Sequence, residues 1–359
     1  MNEWAIRLDQ WHASRGAALT GEPGAGQVLR YGSTCDTEIK ALQEQCGLLE
    51  RKARWLLEVQ GPEAAAFLQG LVTQEVKTQP VGSVRPGLIC SSKGKVEHRV
   101  ELLRPHEETF WVSCEPGEGM AVGRLLDQFH VREDVTFSLK SRTHLRMDLV
   151  GPQAAEIGAS LEQRGFLSSP SSGCFRMTAS FGNLPAEAWV VPWERSLEFL
   201  EVLESGLLVG ESAWEAVRIS QGLPRIGVEF GAGNFAQEAA LGDHISYTKG
   251  CYIGQEPNAR MYHRGHPNWE LVGVGIPCST ASTERLSFPL PEPVPLYFEG
   301  EACGELRSFS PIRHQEEWRG IAWIRHAVAQ QALNISPTPE DTEPWRLFAL
   351  PHHILRPTQ

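Results

Sequence analysis

One phrase occurs twice in this chain, and it constrains the fold more than any other feature. Trp55-Leu-Leu-Glu-Val59 is β-prone, Gly61-Pro62-Glu63 interrupts it, and residues 64–72 continue with Ala64, Phe67, Leu68 and Leu71 at helical spacing. The same order returns as Arg146-Met-Asp-Leu-Val150, Gly151-Pro152-Gln153 and a helical run from Ala154 to Leu161. Proline suits the first turn of a helix, because its missing N–H has no intrahelical partner there, and Glu63 is favoured by the helix dipole. Two strand–Gly-Pro–helix phrases of one design predict an α+β fold: two similar strand–helix subdomains sharing one core.

The rest of the chain fits around these phrases. A helical lead-in covers residues 1–45, the first subdomain 46–145 and the second 146–268. In the first, Leu88 to Ser92 and Val96 to Leu103 read as strands joined by a tight Lys93-Gly94-Lys95 turn. Gly119 to Phe129 reads as a helix, and Val135 to Leu139 as a half-buried alternating strand. In the second, Ser212-Ala-Trp-Glu215 has the form of a capping box opening a helix that Gly222 and Pro224 stop. After residue 268, short strands alternate with turn signals, which predicts a C-terminal antiparallel β-barrel over 269–359.

Charge and cysteine usage exclude some functions. A formal net charge of −11 argues against general binding to nucleic acid phosphates, which needs a basic face. The eight cysteines include no C-x-x-C pair, so the usual zinc and ferredoxin spacings are absent and no metal is expected. Scattered cysteines behind an N-terminus that carries acids and no apolar segment fit a reduced, cytoplasmic setting. No apolar run reaches membrane-spanning length.

Chemistry-bearing groups are densest in Tyr247-Thr-Lys-Gly-Cys-Tyr-Ile-Gly-Gln-Glu256, continuing to Arg260. Gly250 and Gly254 bracket Cys251, and glycine permits positive φ and close approach to the main chain. Lys249 lies two residues from Cys251, and a neighbouring cation favours a thiolate. Spacing alone leaves attack, ligation and packing all open for this thiol.

The string Lys249-Gly-Cys-Tyr-Ile-Gly-Gln-Glu256 resembles the signature of the YgfZ-type proteins, folate-binding relatives of the T-protein of the glycine cleavage system. Gly47-Leu-Leu-Glu50, Leu57 to Leu71, Arg218 to Gly227 and Gln237-Glu238 follow the same pattern, so the resemblance covers about residues 35 to 330. It implies a folate-binding core capped by the barrel, with tetrahydrofolate or a one-carbon derivative as cofactor. It also implies iron–sulfur assembly factors or client enzymes as partners and a role in maturing or maintaining iron–sulfur proteins; an accessory role is the leading reading, with turnover left open.

The T-protein, an aminomethyltransferase, carries paired aspartates where this chain has Gly94-Lys-Val-Glu97-His98-Arg99, with the single carboxylate Glu97. In place of its glycine-rich segment with a pterin-holding glutamate stands Leu184-Pro-Ala-Glu187-Ala-Trp189. A pterin offers neighbouring N–H donors that a carboxylate can accept, and the folate tail wants cations. Glu97, Glu187, Glu229 and Glu256 are the candidates for the first task. Arg218, Arg225, Lys249, Arg260 and Arg264 are those for the second. Gly250, Tyr252, Gly254 and Gln255 complete the binding set, with Tyr252 or Trp214 able to stack on a flat ring. Cys251 is the functional thiol, and Glu97 the candidate acid–base group. The alternative function is a tetrahydrofolate-dependent aminomethyltransferase or demethylase. A thiol hydrolase using His98 or His244 is a distant third.

Overall fold

A computed structural model describes residues 2–167, 173–203, 207–279, 286–340 and 344–350. Two compact units emerge: the first holds Met1–Gly70, Glu75–Gly87 and Arg99–Trp214, and the second Leu71–Gln74, Leu88–His98 and Glu215–Gln359. No helix among the described residues is long and apolar enough to cross a membrane.

The larger sheet has ten strands. In spatial order they are Leu208–Val209, Gly47–Glu50, His144–Val150, Leu184–Pro192, Phe175–Phe181, Ser83–Cys90, Val96–His106, Thr109–Cys114, Leu56–Gln60 and Thr136–Leu139. This order shows the twofold design of the sequence. Leu56–Gln60 pairs antiparallel with the second strand of the hairpin Val96–His106/Thr109–Cys114. His144–Val150 pairs in the same way with the second strand of the hairpin Phe175–Phe181/Leu184–Pro192. The two copies run outward in opposite directions from the middle of the sheet.

The Gly-Pro steps are alike as well. Gly61 has φ +146° and Gly151 φ +131°. Each accepts the first N–H of its helix: Ala64 N–H to Gly61 O at 3.0 Å, and Ala154 N–H to Gly151 O at 3.1 Å. A Cβ at Gly61 would lie 2.2 Å from Asp134 O, and one at Gly151 2.7 Å from Gln45 O, so glycine is required at both turns. The helices that follow are Ala64–Leu71 and Ala154–Gln163.

The core behind the second copy collects Leu145, Met147, Leu149, Leu161, Trp189 and Phe199. A buried charge network crosses the strands as well. Asp148 accepts from Arg51 Nε at 3.0 Å and from Arg146 Nε at 2.8 Å. Arg146 Nη1 also reaches Glu101 at 2.6 Å, and Arg54 joins Glu101 to Glu115 at 3.2 and 2.7 Å. Burial alone would push the Glu101 carboxyl up, but Arg146, Arg54 and Arg99 together hold it well below the usual carboxylate range.

Two sequence expectations change here. Thr136–Leu139 is not half-buried: as the last strand of the sheet it leaves Thr136, Phe137 and Ser138 exposed. Ser212 is not a helix cap either, because the helix already begins at Glu211. The turn before it is set by Gly210, whose N–H donates to Glu38 at 2.7 Å and whose added Cβ would meet Leu29 O at 2.3 Å.

The second unit contains the C-terminal sheet. Its six antiparallel strands lie in the order Val294–Phe298, Glu301–His314, Glu317–Arg325, Trp269–Pro277, Trp345–Phe348 and Asn334–Ile335. Tyr297 and Ser336 exchange backbone hydrogen bonds of 2.8 and 2.9 Å, which brings the ends together into a near-closed barrel. Alternation along Trp269–Pro277 turns Val272, Val274 and Ile276 into the barrel core and Leu271 into a neighbouring cluster with Leu88, Cys90 and Ile245.

Candidate functional site

The stretch around Cys251 is held from below by its own neighbours. Lys249 is buried, and its ammonium donates to Val72 O at 2.6 Å and Gln74 O at 2.8 Å. It thus closes the turn onto residues 71–74, a task different from the expected one of facing the thiol or a ligand. Its Nζ also lies 5.3 Å from the centre of the Tyr252 ring. Tyr252 is buried, so it packs the turn and offers no face for stacking. Burial also raises its phenol pKa, with Cys90 and Tyr247 adding to the effect. Cys251, between these two anchors, is exposed.

Gly254 sets the next step. Its φ is +80°, and a Cβ there would stand 2.4 Å from Ser91 O and 2.9 Å from Gly94 Cα. Gly94, with φ +74°, faces it: a Cβ there would meet Pro257 Cβ at 2.9 Å. Two glycines therefore let the Lys93-Gly94-Lys95 turn lie directly against the start of the helix Gln255–Arg264. Gly250, expected to act similarly, does not. It is not among the positive-φ glycines, and its added Cβ would meet nothing within 4 Å.

Asn258 completes the joint and was not singled out in the sequence. It is fully buried, and its Nδ2 donates to Gly254 O at 3.1 Å and toward Cys90 Sγ at 3.8 Å. Burial pushes the Cys90 thiol up to about 12, the Asn258 contact opposes this, and the Glu97 charge adds to it. Gln237 donates to Tyr247 Oη at 2.9 Å and Asn258 O at 3.2 Å, and Tyr247 stacks on Tyr262 at 3.9 Å. Asn258 Oδ1 and Gln237 Oε1 are buried acceptors without a partner among the described residues. The signal available in the sequence was the spacing Gly254-x-x-x-Asn258, which puts an amide over the first carbonyl of the helix.

The other candidates divide cleanly. Glu97 is half-buried and makes no hydrogen bond or ion pair among the described residues, and its charge reaches Cys90 beneath the Cys251 turn. Gln255 opens the helix. Glu256 and Arg260 lie on its solvent side, 86% and 73% exposed, and pair with each other at 3.1 Å. Arg264 is exposed at the far end of the same helix.

Arg218 is not available for a folate tail. It is buried, and its guanidinium donates to Glu215 at 2.7 and 2.6 Å, to Glu229 at 3.0 Å and to Leu223 O at 2.9 Å. Glu229 and Arg225 belong to the same network. Glu187 lies in the first unit, where Arg176 engages both its oxygens, one at 2.8 Å from Nε. An acceptor role there would first have to break that pair. Trp214 is buried beneath the Arg51 guanidinium, 4.9 Å from the ring centre. His244 is buried and turns Nδ1 to Asp243 at 2.6 Å.

Five of the eight thiols are buried, Cys35 and Cys278 are half-buried, and Cys251 is exposed. Burial raises Cys46, Cys90 and Cys114 to about 12 and Cys174 and Cys303 to about 11. Burial also raises the thiols of the half-buried Cys35 and Cys278, so the exposed Cys251 should be the first of the eight modified by a neutral alkylating reagent at pH 7. Peptide mapping after a short pulse of iodoacetamide checks this, and primary labelling at any buried cysteine would contradict the geometry.

Comparison with known proteins agrees with this architecture. Residues 8–179 match the family described as the GCVT N-terminal domain. The aminomethyltransferase of Streptomyces avermitilis is 24% identical, covering 96% of each chain. The human mitochondrial iron–sulfur cluster assembly factor IBA57 is 27% identical over 59% of this chain and 61% of its own. The tRNA-modifying protein YgfZ of Colwellia psychrerythraea is 26% identical over 61% and 68%. The crystal structure of the glycine cleavage system aminomethyltransferase T from Bartonella henselae superposes with a TM-score of 0.81 at 18% identity, covering 96% of each chain. The chain therefore has a GcvT-like α+β fold, that of the aminomethyltransferase T structure, and its residues 8–179 are similar to the GCVT N-terminal domain.

Proposed function

We propose that the protein binds a tetrahydrofolate and serves iron–sulfur enzymes as an accessory factor, with Cys251 as its working thiol. The observation that carries this reading is the construction of the turn: Lys249, Tyr252, Gly254 and Asn258 are all used to hold it, and Cys251 is left exposed. A scaffold of buried groups that presents one thiol suits thiol chemistry with a partner better than packing. The name of the human relative, an iron–sulfur cluster assembly factor, points the same way.

The groups around the turn fit a folate in chemical type. The unengaged, half-buried carboxylate of Glu97 suits a ring rich in N–H donors. Arg260 and Arg264 are accessible cations for an anionic tail. A second reading, one-carbon transfer to tetrahydrofolate, is favoured by Glu97 itself and by the aminomethyltransferase among the relatives.

Titration calorimetry with tetrahydrofolate under reducing conditions tests both. Wild type should bind, Arg260→Ala should bind about fivefold more weakly as an exposed charge contact is lost, and Cys251→Ser should bind as wild type does. Cys251→Ser should nevertheless fail to support iron–sulfur enzyme activity in cells lacking the wild-type protein. Absence of binding removes the folate. Aminomethyl transfer by wild type that Glu97→Gln abolishes would replace the accessory role by the enzymatic one.

A further inference from the structure

The strand Thr136–Leu139 ends the ten-stranded sheet, and its outer edge has no strand beside it among the described residues. The hydrogen-bond parity of the sheet defines what that edge offers. Gly61 N–H donates to Glu108 O and Cys114 N–H to Trp55 O, so odd-numbered residues of this stretch turn their backbone groups toward Thr109–Cys114. The even ones, Glu58 and Gln60, then pair with Ser138 and Thr136. By alternation the N–H and C=O of Phe137 and Leu139 point outward.

Natural sheets blunt such edges with proline, bulges or charges within the strand. Thr136-Phe-Ser-Leu139 has none of these. Three of the exposed large apolar side chains also lie at or just before it: Phe129, Val131 at 83% exposure and Phe137 at 37%. His130 lies between Phe129 and Val131 in the chain, and its ring is 5.1 Å from that of Phe137.

We propose that this edge pairs antiparallel with the same edge of a second copy of the chain. The register follows from the outward groups. Phe137 lies opposite Leu139 of the other copy, Ser138 opposite Ser138, and the two Phe137–Leu139 pairs make four hydrogen bonds. Both apolar pairs then share one face and the serines the other, as a cross-strand arrangement requires. Charge supports the same occupant. Glu133 and Asp134, with Arg132 before them, precede the strand, and Lys140 and Arg142 follow it in a 3₁₀ turn; Asp134 and Arg142 are exposed. Antiparallel pairing about Ser138 brings the acidic end of each copy to the basic end of the other, whereas parallel pairing would oppose like charges.

Sedimentation equilibrium on the full-length protein tests this with a charge exchange. Wild type should be a dimer at micromolar concentration. Asp134→Arg and Arg142→Asp should each raise the dimer dissociation constant at least about tenfold, since two attractive contacts become repulsive. An equimolar mixture of the two variants should recover wild-type association, because each then meets its complement. Recovery would also show that neither variant had misfolded. A wild type that stays monomeric throughout, or single variants that still dimerise as wild type does, would overturn the proposal.

Discussion

Replacing Asp148 with alanine is expected to cost about 3–5 kcal/mol of unfolding free energy, the range found when one partner of a buried ion pair is removed. Asp148 is buried between two guanidiniums, with Arg51 Nε on one oxygen and Arg146 Nε on the other. Without it both cations remain in the sheet, and neither can reach water. Arg146 keeps Glu101 and Ser113, at 2.6 and 3.1 Å, whereas Arg51 keeps Glu211, at the longer distance of 3.6 Å, and its contacts with the Trp214 and Phe181 rings. Urea unfolding followed by tryptophan fluorescence checks the loss, and a change under about 1 kcal/mol would mean that the network is hydrated and contributes little.

The same network gives the direction of pH dependence. The folded Glu101 carboxyl is held below its ordinary range, so its contribution is present above that range and is lost as the pH falls through and below it. Acid unfolding should therefore begin earlier in Arg146→Met than in wild type, at the same ionic strength.

Gly254→Val should have the largest effect on the candidate site. Valine at φ +80° is strained, and its Cβ would press on Ser91 O and Gly94. The turn carrying Gly94 and the helix Gln255–Arg264 must then part, and Asn258 loses Gly254 O. We expect a loss of about 3 kcal/mol or more, together with loss of tetrahydrofolate binding and faster alkylation of Cys90, which becomes uncovered. Unchanged protection of Cys90 would show that the joint can shift without opening. Gly250→Ala is the control: it has open space around the added Cβ and should leave both readouts near wild type.

Much of this architecture was legible because it is local. The Gly-Pro phrases wrote both strand–helix turns, and the Gly119–Phe129 helix and the C-terminal strands followed from spacing of two or three residues. The Cys251 stretch stood out as a candidate site for the same reason. The roles of its members were not. Lys249 and Tyr252 looked like ligand groups, but their partners at Val72, Gln74 and Cys90 come from distant parts of the sequence. Arg218 looked free because Glu229 approaches it only after the Gly222–Gly227 loop folds back. The charge network joins residues up to 97 positions apart, and such pairs depend on strand register, which no short window contains. Thr136–Leu139 failed in the opposite sense: alternation described a strand correctly, but not its place at the end of the sheet.

The division of the chain into units carries a genetic consequence. The backbone enters and leaves the second unit through two short excursions, Leu71–Gln74 and Leu88–His98, before the long run from Glu215. No single cut of the gene can therefore encode that unit whole. A fragment starting at Glu215 would contain the entire Lys249–Glu256 motif, yet it would lack the carbonyls that hold Lys249 and the Gly94 turn that Gly254 lies against. The motif is an incomplete inheritance without the first hundred residues, so recombination could move it to another protein only together with nearly the whole chain.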